Sequence, residues 1–140
     1  VLPFVDWVLG HDAARPCLEY PSRSGLRERA RACGEGVSLA EPVADTLKRV
    51  DGTGGISATV ERADLWRAQT PQLFPFMQLY QALGTCLDEG VNITDEAMAV
   101  ERAGGRVHAL AGPSSNIKVT VEADLAFAEL LLLQQNREGA

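Results

Sequence analysis

The sequence predicts an α/β fold. Three observations carry it. Short apolar runs of strand length alternate with stretches whose apolar residues recur at helical spacing, Gly and Pro mark the joints, and one segment breaks the rhythm as a β-hairpin. The chain has 140 residues, enough for one domain with its own core and too few for two. Residues 1–140 are therefore read as a single α/β domain.

The elements follow in order. Trp7-Val8-Leu9 is a short apolar run ending at Gly10-His11-Asp12, as expected of a strand buried on both faces of a parallel sheet. Leu26, Ala30 and Cys33 recur at helical spacing, with Gly34 and Gly36 as stop signals. Val37-Ser38-Leu39-Ala40 reads as a second buried strand closed by Pro42. Residues 46–50 and 56–60 alternate around the turn Asp51-Gly52-Thr53-Gly54-Gly55, which predicts a hairpin. An isolated hairpin is marginal in water, so this one is expected to pack on something else, for which a second subunit is a candidate. Thr70-Pro71-Gln72 reads as a turn entering a helix, with Thr70 available as its cap. The helix, residues 74–89, would carry Phe76, Leu79, Tyr80, Leu83 and Leu87 on one face and stop at Gly90. Thr94-Asp95-Glu96 opens a short helix ending at Gly104-Gly105, and its acidic first turn suits the positive end of the helix dipole. Residues 107–110 read as a strand and Ile117-Lys118-Val119 as a short extended piece. Thr120 can cap a last helix with Glu122 and Asp124 in its first turn and Leu125, Ala128, Leu131 and Leu132 facing inward. From Gln134 the tail is polar and expected to fray.

Composition narrows the function. A 46% hydrophobic and 23% charged chain is that of an ordinary soluble globular protein. The longest apolar run, residues 130–133, lies inside an amphipathic pattern, so no membrane span is expected. Val1-Leu2-Pro3-Phe4-Val5 lacks the basic flank and cleavage site of a signal peptide, and its immediate apolar character hints at a start inside a larger protein. The net charge of −6, without a basic stripe, argues against nucleic acid. It leaves room for a small anionic substrate held by a few focused cations. Cys17, Cys33 and Cys86 are odd in number, widely spaced and free of any CxxC pair. They read as reduced thiols of a cytoplasmic protein, not as a disulfide frame or a zinc site.

Open α/β sheets bind ligands beyond the carboxyl ends of their strands, and the first strand ends in His11-Asp12-Ala13-Ala14-Arg15-Pro16. Asp12 can orient a hydroxyl or a metal-bound water there, and Arg15 can grip phosphate oxygens with parallel hydrogen bonds. The plain alternative is an Asp that caps the following turn and pairs with Arg15 at the surface. His11 can act as a general base, but lacks a partner acid or nucleophile and reads better as a hydrogen-bonded structural residue. Lys118 stands between Ile117 and Val119, either as a solvated edge lysine or as a point charge for a phosphoryl transition state. Thr70 and Thr94 read first as helix caps, and the two carboxylates after Thr94 could also serve a cation.

Six segments stand in one order: His11-Asp12-Ala13-Ala14-Arg15-Pro16, then Pro42-Val43-Ala44-Asp45-Thr46-Leu47-Lys48-Arg49, Arg62 followed by Leu65-Trp66, Gln69-Thr70-Pro71-Gln72, Ile93-Thr94-Asp95-Glu96-Ala97 and Asn116-Ile117-Lys118-Val119-Thr120. In that order and spacing the chain resembles the 2-C-methyl-D-erythritol 4-phosphate cytidylyltransferase family of the non-mevalonate isoprenoid pathway, over nearly its whole length. The resemblance implies a Rossmann-like nucleotidyltransferase sheet and a protruding β-hairpin dimerisation arm over about residues 44–62. It implies a reaction joining CTP and methylerythritol phosphate, with Mg²⁺ carried mainly on the nucleotide phosphates. It also implies a role for each matching residue. Asp12 would hold the alcohol's hydroxyls, Arg15 would shape that pocket, and Thr70 and Thr94 would line it. Lys118 would neutralise charge at the α-phosphate, and no residue is implied as a direct metal ligand. Thr46 and Arg62, at the two ends of the hairpin, would reach the substrate phosphate of a second subunit, making a homodimer with shared sites.

Two departures qualify the resemblance. The family's opening strand, the Gly-rich turn and Lys that cradle the triphosphate, and a further Gly-rich segment at the base have no counterpart before Val1. The sheet is thus expected to be incomplete, and this chain alone to bind CTP poorly and to be inactive. Gly10 stands where the family usually carries a branched apolar residue, and Gly weakens a strand interior. The related ribitol 5-phosphate cytidylyltransferases share the strand-end motif and the Thr-Pro-Gln turn. Ala14, the residue 45–49 run and the residue 94–97 run lean toward methylerythritol phosphate. A non-catalytic dimerising piece that kept the arm is the alternative from another class.

Overall fold

The structure, a computed structural model, describes residues 6–138. The opening Val1-Leu2-Pro3-Phe4-Val5 lies outside them. Ten elements follow one another: β1 (Trp7–Gly10), α1 (Tyr20–Cys33), β2 (Gly36–Pro42), β3 (Leu47–Val50), β4 (Ile56–Val60), β5 (Trp66–Pro75), α2 (Phe76–Asp88), α3 (Glu96–Arg102), β6 (Val107–Ala111) and α4 (Glu122–Glu138). The α/β expectation holds.

Four strands form one mixed sheet in the order β1-β5-β2-β6. β5 runs antiparallel to both β1 and β2, while β2 and β6 are parallel. Hence β1, β2 and β6 point the same way, and the loops after β1 and β6 leave from one edge of the sheet. That common edge positions the site.

Alternate residues of a strand face opposite sides, and β5 shows why both sides of the sheet are covered. Phe74 packs with Leu79, Ala82 and Cys86 of α2 and Ala97, Ala99 and Val100 of α3. Its neighbour Leu73 packs on the other face with Leu26 and Ala30 of α1 and Val37 and Leu39 of β2. The Phe74 ring lies over Gly36, where an added Cβ would come within 2.7 Å of Cδ1, so only glycine lets the ring settle. Phe74 is fully buried. Its replacement by alanine is expected to cost about 3–5 kcal/mol through lost burial and the cavity left behind. Urea unfolding measures this, and a loss under about 1 kcal/mol would contradict the packing described.

Several expectations need correction. β1 is not buried on both faces of a parallel sheet. Among the described strands it is an edge strand, antiparallel to β5, with Leu9 exposed. Thr70-Pro71-Gln72 is not a helix-entering turn but the middle of β5, so Thr70 caps nothing. Ser38 pairs with Gln72 and Ala40 with Ala68, so β5 bulges across residues 69–71. Pro71 has no N–H to give the ladder, which suits a bulge. α2 turns a different face inward: Leu79, Ala82 and Cys86 are buried, Leu83 is half-buried, and Tyr80 and Leu87 are exposed. The small Ala82 and Cys86 let the helix approach the sheet more closely than the larger stripe would. On α4, Ala128 is buried and Leu125 exposed. The helix runs on through Gln134 to Glu138, and Gln135 Nε2 donates to the Cys17 carbonyl at 3.0 Å.

Other joints form as read. α1 ends on Gly34 in the left-handed region (φ 68°), whose N–H donates to the Ala30 carbonyl at 2.8 Å. At α4, by contrast, Thr120 supplies no cap: its N–H and hydroxyl both donate to Asp124 Oδ2 at 2.9 Å. β3 and β4 form a separate two-stranded sheet with nearly all side chains exposed. Cys17, Cys33 and Cys86 are free thiols. Among the described residues, no helix is long and apolar enough to cross a membrane.

Candidate active site

The loop after β1 is shaped by Asp12. Its Oδ1 accepts from the Ala14 N–H at 2.9 Å, and its carbonyl accepts from the Arg15 N–H at 2.9 Å. The bulge in β5 brings Thr70 against this loop. Thr70 Oγ1 accepts from the Asp12 N–H at 2.9 Å and lies 3.0 Å from His11 Nδ1. The hydroxyl can therefore donate to Nδ1, which leaves Nε2–H to donate to the Arg15 carbonyl at 3.0 Å. His11 is a strut between β5 and the loop, exposed rather than packed.

The loop after β6 is fixed by buried amides. Asn116 is fully buried, and its Nδ2 donates to Gln69 Oε1 at 3.2 Å and to the Thr70 carbonyl at 2.8 Å. Gln69 Nε2 in turn donates to the Pro113 carbonyl at 3.2 Å. Arg15 Nη1 donates to the Asn116 carbonyl at 2.6 Å and Nη2 to the Ala68 carbonyl at 3.3 Å, while the Val119 N–H donates to the Ala14 carbonyl at 2.8 Å. The two loops are thus stitched to each other and to β5. Lys118 Nζ is held 2.9 Å from Asp12 Oδ2.

A third segment closes the site. Asp95 caps α3, its Oδ1 accepting from the Met98 N–H at 2.9 Å. Buried Gln72 ties this helix start to the sheet. Its Nε2 donates to Asp95 Oδ2 at 3.0 Å and Ser38 Oγ at 3.1 Å, and its Oε1 accepts from the Ala97 N–H at 3.1 Å.

These segments surround an open cavity of about 410 Å³ whose lining includes His11, Asp12, Arg15, Thr70, Thr94, Glu96 and Lys118. Five residues read from the sequence, Asp12, Arg15, Thr70, Thr94 and Lys118, therefore converge. Thr46 and Arg62 do not line this cavity; they flank the exposed hairpin. Asp12 pairs with Lys118 and not, as the plain alternative had it, with Arg15. The Arg15 guanidinium binds backbone carbonyls. Sequence reasoning gave no role to Gln69, Gln72 or Asn116. The available signal was an amide set within otherwise apolar strand or loop segments, since a buried amide needs partners.

The hydrogen bond from Lys118, with the Ala14 N–H second, holds the Asp12 carboxyl below its usual 3.8. A depressed carboxyl stabilises the fold fully above its unfolded value and loses that contribution as pH falls through the lowered one. The Lys118–Asp12 pair is therefore expected to persist below pH 3.8 and to break only on further acidification. A ¹³Cγ titration of Asp12 checks this; a midpoint at or above the usual value would contradict it. Burial pushes the Arg15 guanidinium down from its usual value, partly offset by Asp12.

The family described as 2-C-methyl-D-erythritol 4-phosphate cytidylyltransferase (IspD) matches residues 3–134. The protein of that name from Aeromonas hydrophila is 52% identical over 131 residues, covering 94% of this chain and 54% of the relative. The protein from Tolumonas auensis is 49% identical over 133 residues, covering 95% of this chain and 59% of the relative. A crystal structure of the Thermus thermophilus enzyme superposes with a TM-score of 0.83 at 30% identity, covering 91% of this chain and 62% of that one. The chain thus spans little more than half the length of these curated relatives.

Proposed function

Because the chain belongs to the 2-C-methyl-D-erythritol 4-phosphate cytidylyltransferase family, we propose that it is the portion of such an enzyme that holds the alcohol phosphate and the charge-stabilising lysine. The reaction is transfer of a cytidylyl group from CTP to 2-C-methyl-D-erythritol 4-phosphate. A phosphate oxygen of the alcohol attacks the α-phosphorus of CTP. The bond from that phosphorus to the bridging oxygen breaks, and pyrophosphate leaves with the electron pair. Catalysis of this kind is positioning and charge stabilisation, with no protein nucleophile.

The observation that supports this most is Lys118 held against Asp12 at the common strand edge, 2.9 Å apart, in a cavity that also presents Thr70 and Thr94. Hydroxyls of the alcohol donate to Asp12, and Lys118 turns its charge to the phosphates as negative charge grows. A second open cavity, of about 380 Å³, also includes Arg15 and Lys118 in its lining, so Lys118 faces two spaces. Mg²⁺ enters as a companion of the nucleotide phosphates. No step is assigned to it. The exposed hairpin, with Thr46 and Arg62 at its ends, is the arm that reaches a second copy, giving a cytoplasmic homodimer with shared sites.

The test is pyrophosphate release with CTP and Mg²⁺ by a chimera that joins the N-terminal segment of the Aeromonas hydrophila relative to this chain. Methylerythritol phosphate is expected to be the better substrate; a preference for ribitol 5-phosphate would overturn the choice. Calorimetry with CTP and Mg²⁺ on this chain alone is expected to show little binding. Tight binding would refute the need for a separate nucleotide segment.

A further inference from the structure

Three carboxylates, Asp12, Asp95 and Glu96, line the cavity. Two already hold partners within the protein. Asp12 accepts from the Ala14 N–H and pairs with Lys118. Asp95 accepts from the Met98 N–H and from Gln72 Nε2. The half-buried Glu96 carboxylate makes no hydrogen bond or ion pair among the described residues. It lies over the last residue of β1: a Cβ added to Gly10 would sit 3.1 Å from Glu96 Oε1 and 3.4 Å from Cδ. Glycine here leaves that place open.

We propose that Glu96 recognises hydroxyl groups at the polyol end of the cavity. The inference rests on reading this cavity as the alcohol-phosphate site. A carboxylate only accepts hydrogen bonds, and a half-buried one with unused lone pairs gains most from a ligand rich in O–H donors. The same charge repels phosphate, so a polyol phosphate lies with its phosphate toward Lys118 and its hydroxyls toward Glu96. Inorganic phosphate gains nothing from Glu96. Discrimination between the two ligands therefore rests on this residue beside Asp12, while affinity for phosphate belongs to Lys118.

NMR titration of the 140-residue chain with methylerythritol phosphate and, separately, inorganic phosphate tests both assignments. Wild type is expected to prefer the polyol phosphate. Glu96→Ala should weaken that ligand about tenfold, as loss of hydrogen bonds to a charged group implies, and leave inorganic phosphate bound no more weakly. Glu96→Gln, which preserves shape and an acceptor, should retain part of the affinity that Glu96→Ala loses. Polyol-phosphate affinity untouched by Glu96→Ala, or equal binding of both ligands to wild type, overturns the inference alone. Affinity for both ligands untouched by Lys118→Ala defeats the reading of the site beneath it, and binding of neither ligand to wild type defeats both.

Discussion

Replacing Lys118 by alanine lowers kcat for cytidylyl transfer about a hundredfold or more in the chimeric enzyme, since removing one preorganised charge-stabilising donor costs that order of rate. The expectation follows from how firmly the lysine is placed. Its loop is held by Asn116, Gln69 and Arg15 through bonds to backbone carbonyls and to one another, and its ammonium already sits 2.9 Å from Asp12. A charge located before substrate arrives needs little reorganisation when the transition state forms. KM for the alcohol phosphate should change less than kcat, because the charge matters most where negative charge develops. Steady-state pyrophosphate release separates the two, and a near-normal kcat would remove Lys118 from the chemistry.

The second large effect is recovery of activity from two inactive variants. Asp12 lines the cavity, while Thr46 and Arg62 flank the hairpin and stay away from it. If the arm of one subunit completes the cavity of the other, chimeric subunits carrying Asp12→Ala and Arg62→Ala form a mixed dimer with one intact site. Random assortment in an equal mixture then restores about a quarter of wild-type activity, since half the dimers are mixed and each carries one good site of two. Measuring turnover before and after subunit exchange checks this. No recovery would mean that each site is built within one chain.

Much of the fold was legible because local pattern decided it. The hairpin turn at residues 51–55, the glycine stop of α1 and the acidic start of α3 depend on neighbours in sequence. β5 was not legible, because a Thr-Pro-Gln run inside a strand looks like punctuation until the bulge explains it. The inward face of α2 was ambiguous for another reason. Phe76 and Tyr80 stack on one another at 5.9 Å on the outside, while Leu79, Ala82 and Cys86 face the core, so the helix is apolar on both sides.

At the site, the strand-end Asp12 and Arg15 and the isolated Lys118 stood out by residue type. Their partners did not. Arg15 finds the carbonyl of a residue 101 positions away, and Asn116 finds Gln69 across 47. Such contacts are set by sheet order, which local spacing does not encode. Glu96 was read as part of a helix start, and only the neighbouring β1 backbone shows where its carboxylate lies.

The most direct measurement is the intermolecular NOE spectrum of this chain with methylerythritol phosphate bound. Cross-peaks should join the ε-methylene protons of Lys118 to the protons on the ligand carbon that bears the phosphate. A bound ligand whose phosphate end gives cross-peaks elsewhere and none to Lys118 would contradict the account.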